Sequence, residues 1–150
     1  MKKVWESQSV EETGYIAKEI FGMLKADSAN AIVLTLVGDL GAGKTTFTQW
    51  LARELGIEET IISPTFVIAK FYDTTRTQEQ LGFKQLIHID AYRLEESDEI
   101  KVLGFEKMLA QPNTLIVVEW PEHIADILPN DRVNISIKHG MGDLREFVIE

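Results

Sequence analysis

The sequence predicts a layered α/β fold with a largely parallel central sheet and antiparallel hairpins at its edges. Three observations lead to this fold class. The apolar run Ile32–Val37 reads as a buried strand and leads through a glycine-rich turn into an amphipathic segment. The run Thr114–Val118 is continuously apolar, as expected of a parallel strand that is buried on both faces. Strand-like and helix-like segments alternate along the chain, which favours a parallel sheet flanked by helices.

The first half of the chain predicts two helices. The first spans about residues 10–25, where Ser9 and Glu12 have the spacing of a capping box. Its apolar residues recur on one face, which we expect to cover the sheet: Ile16, Ile20 and Leu24. The second helix follows the glycine-rich turn, begins at Gly43 and is stopped by Gly56. Its apolar face comprises Phe47, Trp50, Leu51 and Leu55.

The second half predicts two hairpins around one helix and the central strand. Strand-like segments at 66–72 and 83–90 flank a polar stretch at 73–80, and this order predicts an antiparallel hairpin. A helical stretch from about Asp98 to Leu109 leads to the central run at 114–118. A closing hairpin is predicted from the strand-like segments 133–138 and 145–149.

Length and composition indicate a single domain of residues 1–150. Of these residues, 45% are hydrophobic and 26% charged, and no apolar run approaches the length of a membrane span. The chain has no cysteine, which excludes disulfides and thiolate metal sites. Its start carries two lysines without an apolar signal core behind them. We therefore expect a cytoplasmic protein with no membrane association.

The charge balance argues against direct binding of nucleic acid. The formal net charge is −9, whereas proteins that grip DNA or RNA through phosphates present a basic face. The acidity is expected to form a solvated surface that keeps the protein soluble.

The segment Gly38–Thr45, Gly-Asp-Leu-Gly-Ala-Gly-Lys-Thr, is a complete P-loop that directly follows the first predicted strand. In such a loop, glycines let backbone N–H groups point at phosphate oxygens, and Lys44 reaches the β- and γ-phosphates. Thr45 offers its hydroxyl to Mg²⁺, and the following helix N-terminus favours the anion. The residues predicted to bind the nucleotide here are Asp39, Leu40, Gly41, Ala42, Gly43, Lys44, Thr45 and Thr46.

Hydrolysis needs an acid besides the P-loop, to complete the Mg²⁺ shell or to orient water. Glu119 ends the central strand and Asp90 ends another, so both are expected at the carboxyl edge of the sheet, where ligands of open α/β folds bind. The sequence leaves open which acid serves the metal and which the water. Thr65, in Ser63-Pro64-Thr65, is a candidate sensor of the γ-phosphate, and an ordinary turn before a strand is the competing interpretation.

Other residues are less informative. His88, His123 and His139 share no metal-ligand spacing and are expected to be structural or solvated. Trp120, after Glu119, is expected to pack in the core or to contact a partner. The Asn-Lys-x-Asp tetrapeptide of guanine-selective proteins is absent, which favours ATP over GTP.

Four segments in this order resemble the bacterial TsaE (YjeE) family. They are Gly38–Phe47, Ser63–Phe66, His88–Leu94 and Val118–Glu122. The Glu-Trp-Pro and His-x-Asp-x-Tyr-Arg patterns within them are not general features of P-loop proteins.

The resemblance implies a weak, Mg-dependent ATPase with a P-loop NTPase-like fold that joins TsaB and TsaD in forming threonylcarbamoyladenosine in tRNA. It implies that Thr45 and Glu119 hold Mg²⁺ and that Asp90 is linked to hydrolysis. The expected catalytic residues are Lys44, Asp90 and Glu119. It makes Ser7 and Ser9 candidate adenine contacts and Arg145 a candidate nucleotide contact. Since the partner complex handles the tRNA, this subunit meets tRNA only indirectly, as a nucleotide-driven switch.

Two alternatives remain at this point. A small-molecule kinase uses the same P-loop, but such enzymes carry an arginine-rich lid, and only Arg132 and Arg145 follow Glu119. A non-enzymatic nucleotide-sensing module is the second alternative.

Overall fold

The computed structural model describes residues 2–74 and 82–150, and a seven-stranded sheet runs through them. The strands in chain order are β1 Lys3–Ser7, β2 Ile32–Val37, β3 Ala69–Asp73, β4 Gln85–Asp90, β5 Thr114–Glu119, β6 Val133–His139 and β7 Arg145–Ile149. The helices are α1 Val10–Met23, α2 Lys44–Glu54, α3 Asp98–Val102, α4 Phe105–Leu109 and a 3-10 helix Pro121–Ile127. No helix in the described ranges is long and apolar enough to cross a membrane.

The spatial order of the sheet is β1-β7-β6-β2-β5-β4-β3. The four central strands β6, β2, β5 and β4 run parallel. The pairs β3 with β4, β6 with β7 and β1 with β7 are antiparallel. The predicted fold class, a largely parallel centre with antiparallel hairpins at the edges, is therefore confirmed.

Both faces of the sheet are buried in an apolar core. Helices α1 and α2 pack on one face against Leu115 and Val117 of β5. Helices α3 and α4 and the 3-10 helix pack on the other face against Ile116 and Val118. Because side chains alternate along a strand, Glu119 at the end of β5 belongs to the face that carries the P-loop helix α2.

The start of helix α1 follows the predicted capping chemistry. The backbone N–H of Glu12 donates to Ser9 Oγ at 3.1 Å, and Glu12 Oε2 accepts from the Gln8 N–H at 2.7 Å. The cap therefore satisfies two backbone donors at the beginning of the helix. The helix ends at Met23, two residues before the predicted end.

The predicted helical stretch from Asp98 to Leu109 is helical in the structure, with a break in its middle. The segment forms two short helices, α3 and α4, separated by Leu103 and Gly104. Gly104 has φ of 89°, a left-handed conformation that interrupts a right-handed helix and that glycine adopts without strain.

The edge hairpin also differs in detail from its prediction. Residues 65–67 form a turn, and β3 begins only at Ala69, because Ile68 adopts φ of 69°. Its partner β4 begins at Gln85, two residues later than predicted. Most of the predicted polar loop, residues 75–80, lies outside the described residues. Strand β1 was not predicted, and it pairs with β7 at the opposite edge.

Candidate nucleotide site

The P-loop leaves β2 after Val37 and enters α2 at Lys44. Gly41 and Gly43 adopt φ of 79° and 107°, which glycine allows and other residues rarely adopt. Gly38 is required for space, since a Cβ there would lie 2.7 Å from the carbonyl oxygen of Ile137. The first N–H groups of α2 have no helical acceptor, so the loop presents donors for an anion.

Lys44 is 5% exposed and folds back onto its own loop. Its Nζ donates to the carbonyl of Gly38 and, at 3.1 Å, to the carbonyl of Asp39. The ammonium also lies 4.1 Å from the ring centroid of Trp120, which is half-buried. Burial lowers the pKa of Lys44 below its usual 10.5, and nearby carboxylates partly oppose this. The opposing groups are Glu119, Glu122, Asp90 and Asp39.

The side chains of Thr45 and Glu119 lie next to each other. Thr45 Oγ1 lies 3.3 Å from each carboxylate oxygen of Glu119, which is 3% exposed at the end of β5. A hydroxyl and a carboxylate are hard oxygen donors of the kind that Mg²⁺ takes. Within residues 2–74 and 82–150, no three His, Cys, Asp or Glu side chains are grouped to hold a metal. This pair therefore fits an Mg²⁺ ion whose coordination shell is completed by substrate phosphates and water. The protein alone does not supply a full set of ligands.

His88 is a site residue that the sequence reasoning missed. Its Nε2 lies 2.6 Å from Glu119 Oε2, and the side chain is fully buried. A signal for it was present in the sequence: His88 lies two residues before Asp90 in a predicted strand, so both share a face. The parallel pairing of β4 with β5 then brings that face to Glu119.

Asp90 holds the segment that contains Thr65. Its Oδ2 accepts from Ser63 Oγ at 2.8 Å and from Thr65 Oγ1 at 2.7 Å, while Oδ1 accepts from the Tyr92 N–H at 2.9 Å. Ser63 and Thr65 are themselves 2.8 Å apart. Thr65 and Asp90, which belong to different sequence motifs, are thus joined by a hydrogen bond.

Two cavities flank the P-loop. The first, about 380 Å³, is lined by Gln8, Ser9, Val10, Thr13, Gly41, Ala42, Gly43, Thr46, Asp143, Arg145 and Phe147. The second, about 280 Å³, is lined by Leu40, Gly41, Ala42, Gly43, Lys44, Thr45, Thr46, Ser63, Thr65, Asp90, Tyr92, Glu119 and Trp120. Apart from Asp39 and Ser7, the predicted site residues therefore line one or both of two cavities that share one wall, the backbone of the P-loop.

The residues carried over by resemblance occupy different places. Ser9 and Arg145 both line the first cavity, although they are far apart in the chain. Ser7 is fully buried and donates to the Ser9 carbonyl at 2.7 Å, so its side chain supports the turn before α1. Asp39 lines neither cavity, and its carbonyl accepts from Lys44 and from the Ala42 N–H.

Comparison with known proteins gives a consistent family. The family model of the threonylcarbamoyl adenosine biosynthesis protein TsaE matches residues 7–147. The TsaE protein of Bacillus subtilis is 41% identical over 142 residues, which cover 95% of this chain and 81% of that protein. The TsaE protein of Streptomyces coelicolor is 40% identical over 118 residues, covering 77% and 74% of the two chains.

The solved structures agree with the sequence matches. The crystal structure of Bacillus subtilis YdiB superposes with a TM-score of 0.77 at 35% identity, and it covers 99% of this chain and 84% of that one. The matched region includes the P-loop, the two strand ends that carry Asp90 and Glu119, and Arg145. The chain therefore belongs to the TsaE family of threonylcarbamoyladenosine biosynthesis proteins.

Proposed function

We propose that this protein is a weakly active, Mg-dependent ATPase in the formation of threonylcarbamoyladenosine in tRNA, and that its nucleotide acts as a switch on the partners TsaB and TsaD. One observation carries the proposal. The Thr45 hydroxyl and the Glu119 carboxylate converge at 3.3 Å beside the N-terminus of α2, which supplies backbone donors for phosphate.

The two cavities support one path for the nucleotide. Gly41, Ala42 and Gly43 line both, so a nucleotide that crosses the loop extends into each of them. Its phosphates then lie in the second cavity with Lys44, and its base and sugar in the first with Ser9 and Arg145. ATP is the proposed nucleotide, because the sequence lacks the guanine-selective tetrapeptide.

Lys44 must change partners when phosphate binds. Its Nζ is held by two carbonyls of the loop and by the Trp120 ring. The β- and γ-phosphates offer a stronger, charged acceptor in the same cavity. Thr45 and Glu119 would hold Mg²⁺, which withdraws charge from the phosphates when it is bound.

Hydrolysis is proposed to use Asp90 and Glu119 as the two acids of the second cavity, with Lys44 stabilising phosphate charge. Thr65 shares that cavity and donates to Asp90. A γ-phosphate in that cavity competes with Asp90 as the acceptor for the Thr65 hydroxyl. Binding or loss of the γ-phosphate therefore changes the hydrogen bond that anchors the segment Ser63–Thr65.

The same segment offers a route to a partner protein. Phe66 and Val67, directly after Thr65, are 83% and 62% exposed. A shift of Thr65 between Asp90 and a phosphate moves these apolar side chains as well. Nucleotide state is thus proposed to alter a surface that TsaB or TsaD contacts, which is a population shift and not a chemical step on tRNA.

The charge of the chain fits an indirect relation to tRNA. At a net charge of −9, the protein is a poor ligand for the phosphates of RNA. We assign tRNA binding to the partner proteins and place the complex in the cytoplasm.

The test is a tRNA modification assay with TsaB and TsaD, run under single-turnover and multiple-turnover conditions. We expect Lys44→Ala and Thr65→Val to lose multiple-turnover modification, because both interrupt the response to nucleotide. Thr65→Ser keeps the hydroxyl and is expected to retain it. Undiminished multiple turnover with Lys44→Ala and Glu119→Ala would overturn the proposed switch.

A further inference from the structure

The geometry points to His88 as a positioning residue for the carboxylate of Glu119. This inference rests on the proposed function, in which Glu119 is a ligand of Mg²⁺. His88 does not line either cavity, so it reaches the nucleotide only through Glu119. We assign it the task of fixing the orientation of that carboxylate before the metal arrives.

The surroundings of His88 explain why its contact with Glu119 matters. The ring is 0% exposed and lies on the face of β4 that carries the buried residue Leu86. Its Nδ1 has no hydrogen-bond partner in the described part of the chain. A buried polar atom without a partner costs free energy, and an apolar side chain there would avoid that cost. Among the described residues, the hydrogen bond of the ring is the one to Glu119.

The direction of this hydrogen bond follows from its chemistry. An ionised carboxylate has no proton to give, so Nε2–H donates to Oε2. In the sheet, His88 pairs with Val117 and Asp90 pairs with Glu119, so His88 is the diagonal neighbour of Glu119. A ring can span that diagonal, whereas a shorter side chain on the same strand cannot.

The consequence for the metal site concerns the two oxygens of one carboxylate. His88 occupies Oε2, while Oε1 has only the Thr45 hydroxyl, at 3.3 Å, as a partner within residues 2–74 and 82–150. Oε1 is thus the oxygen free to meet a cation beside Thr45. The described residues offer no cluster of three or more His, Cys, Asp or Glu ligands. The protein's contribution to metal binding therefore depends strongly on how the Glu119 carboxylate is oriented. Partners that orient a metal ligand in this way are typically worth about 10–100-fold in metal affinity or activity.

The experiment compares two amides that differ in reach. The side-chain amide nitrogen of His88→Gln falls near the position of Nε2 and can still donate to Glu119. That of His88→Asn falls near Nδ1, which faces no described partner. His88→Leu removes the donor and retains the volume. For each protein, calorimetry gives the Kd of a non-hydrolysable ATP analogue in saturating Mg²⁺ and in EDTA.

The measured quantity is the ratio of the Kd in EDTA to the Kd in Mg²⁺. We expect His88→Asn and His88→Leu to lower this ratio by about 10–100-fold, while His88→Gln stays close to wild type and the Kd in EDTA is unchanged in all three. The melting temperature in EDTA shows that each variant is folded. If His88→Leu does not fold, the matched Gln and Asn variants decide the question.

The outcomes separate this inference from the function on which it rests. If the wild-type protein binds the analogue no better in Mg²⁺ than in EDTA, the proposed Mg-dependent site is wrong, and the role of His88 with it. If the wild type shows a clear Mg²⁺ effect and His88→Asn keeps the same ratio as His88→Gln, only the positioning role is overturned. A purely structural histidine predicts that second result, with the melting temperature lowered alike in both variants.

Discussion

The ammonium group of Lys44 lies 4.1 Å from the ring centroid of Trp120, so the P-loop touches the turn that follows β5. Trp120 adopts φ of 58°, a left-handed conformation that is rare for a bulky side chain and costs free energy. A partly desolvated cation over an indole ring contributes about 0.5–2 kcal/mol in return. Trp120 therefore contributes to the candidate nucleotide site, where it contacts Lys44 and lines the second cavity.

The lowered pKa of Lys44 predicts a dependence of stability on pH. In the folded chain, burial makes Lys44 lose its proton at a lower pH than the 10.5 expected of the unfolded chain. Between the pKa of Lys44 in the folded chain and its pKa in the unfolded chain, the unfolded chain binds more protons. The free energy of unfolding therefore increases as the pH rises through this range. Relative to Lys44→Met, which does not titrate, wild type is expected to become more stable as the pH rises toward 10.5.

This prediction is measured by urea denaturation of both proteins in EDTA over a series of pH values. Groups that do not interact with Lys44 affect both proteins alike and cancel in the difference, and the carboxylates near Lys44 are ionised in both proteins at alkaline pH. If the difference in the free energy of unfolding stays constant with pH, burial does not lower the pKa of Lys44.

Removing the Thr45 hydroxyl tests its place opposite Glu119. Thr45→Ala is expected to weaken ATP binding in Mg²⁺ by about tenfold or more, since a polar contact to a charged group contributes about 1.5–3 kcal/mol. Binding in EDTA should change little, because the backbone donors of the loop remain. Thr45→Ser keeps the hydroxyl and serves as the matched control. Equal losses in Mg²⁺ and EDTA would mean that Thr45 contacts the nucleotide and not the metal.

Arg145 is predicted to contact the base or the sugar. It lines the first cavity with Ser9 and does not line the cavity that contains Lys44 and Glu119. Arg145→Ala is therefore expected to weaken ATP binding by about tenfold and to leave the binding of inorganic tripolyphosphate unchanged. The exposed Lys138 on β6 provides a control, because Lys138→Ala removes the same charge outside the cavity. A matching loss of tripolyphosphate binding would instead place Arg145 on the phosphates.

The P-loop and the strand ends could be read from the sequence because their signals are local. Glycines at fixed spacing between a strand and a helix specify both the shape of the loop and its ligand. The positions of Asp90 and Glu119 followed from one further rule, that parallel strands end at the same edge. Their register was not predictable, yet the structure pairs these two residues directly.

The contacts of His88 and Trp120 could not be read in the same way. His88 meets Glu119 across 31 residues, and the contact depends on the exact register of two strands. Trp120 meets Lys44 from a left-handed backbone conformation, which a tryptophan rarely adopts and which the sequence therefore does not predict. The break at Gly104 within the predicted helical stretch could not be read either, because periodicity shows which residues are apolar but not where the chain turns.

Two glycines of α1 make a matched test of how this helix supports the P-loop helix. A Cβ on Gly14 would lie 2.8 Å from the ring of Trp50 on α2, whereas a Cβ on Gly22 would meet no described atom within 4 Å. Gly14→Ala is expected to lower the free energy of unfolding by about 1–3 kcal/mol through overpacking, and to weaken ATP binding by displacing α2. Gly22→Ala is expected to raise the free energy of unfolding by about 0.5–1 kcal/mol, because alanine restricts the unfolded chain and favours a helix. Urea denaturation and ATP titration of both variants give these values, and effects of the same sign on stability would show that α1 and α2 do not approach each other this closely.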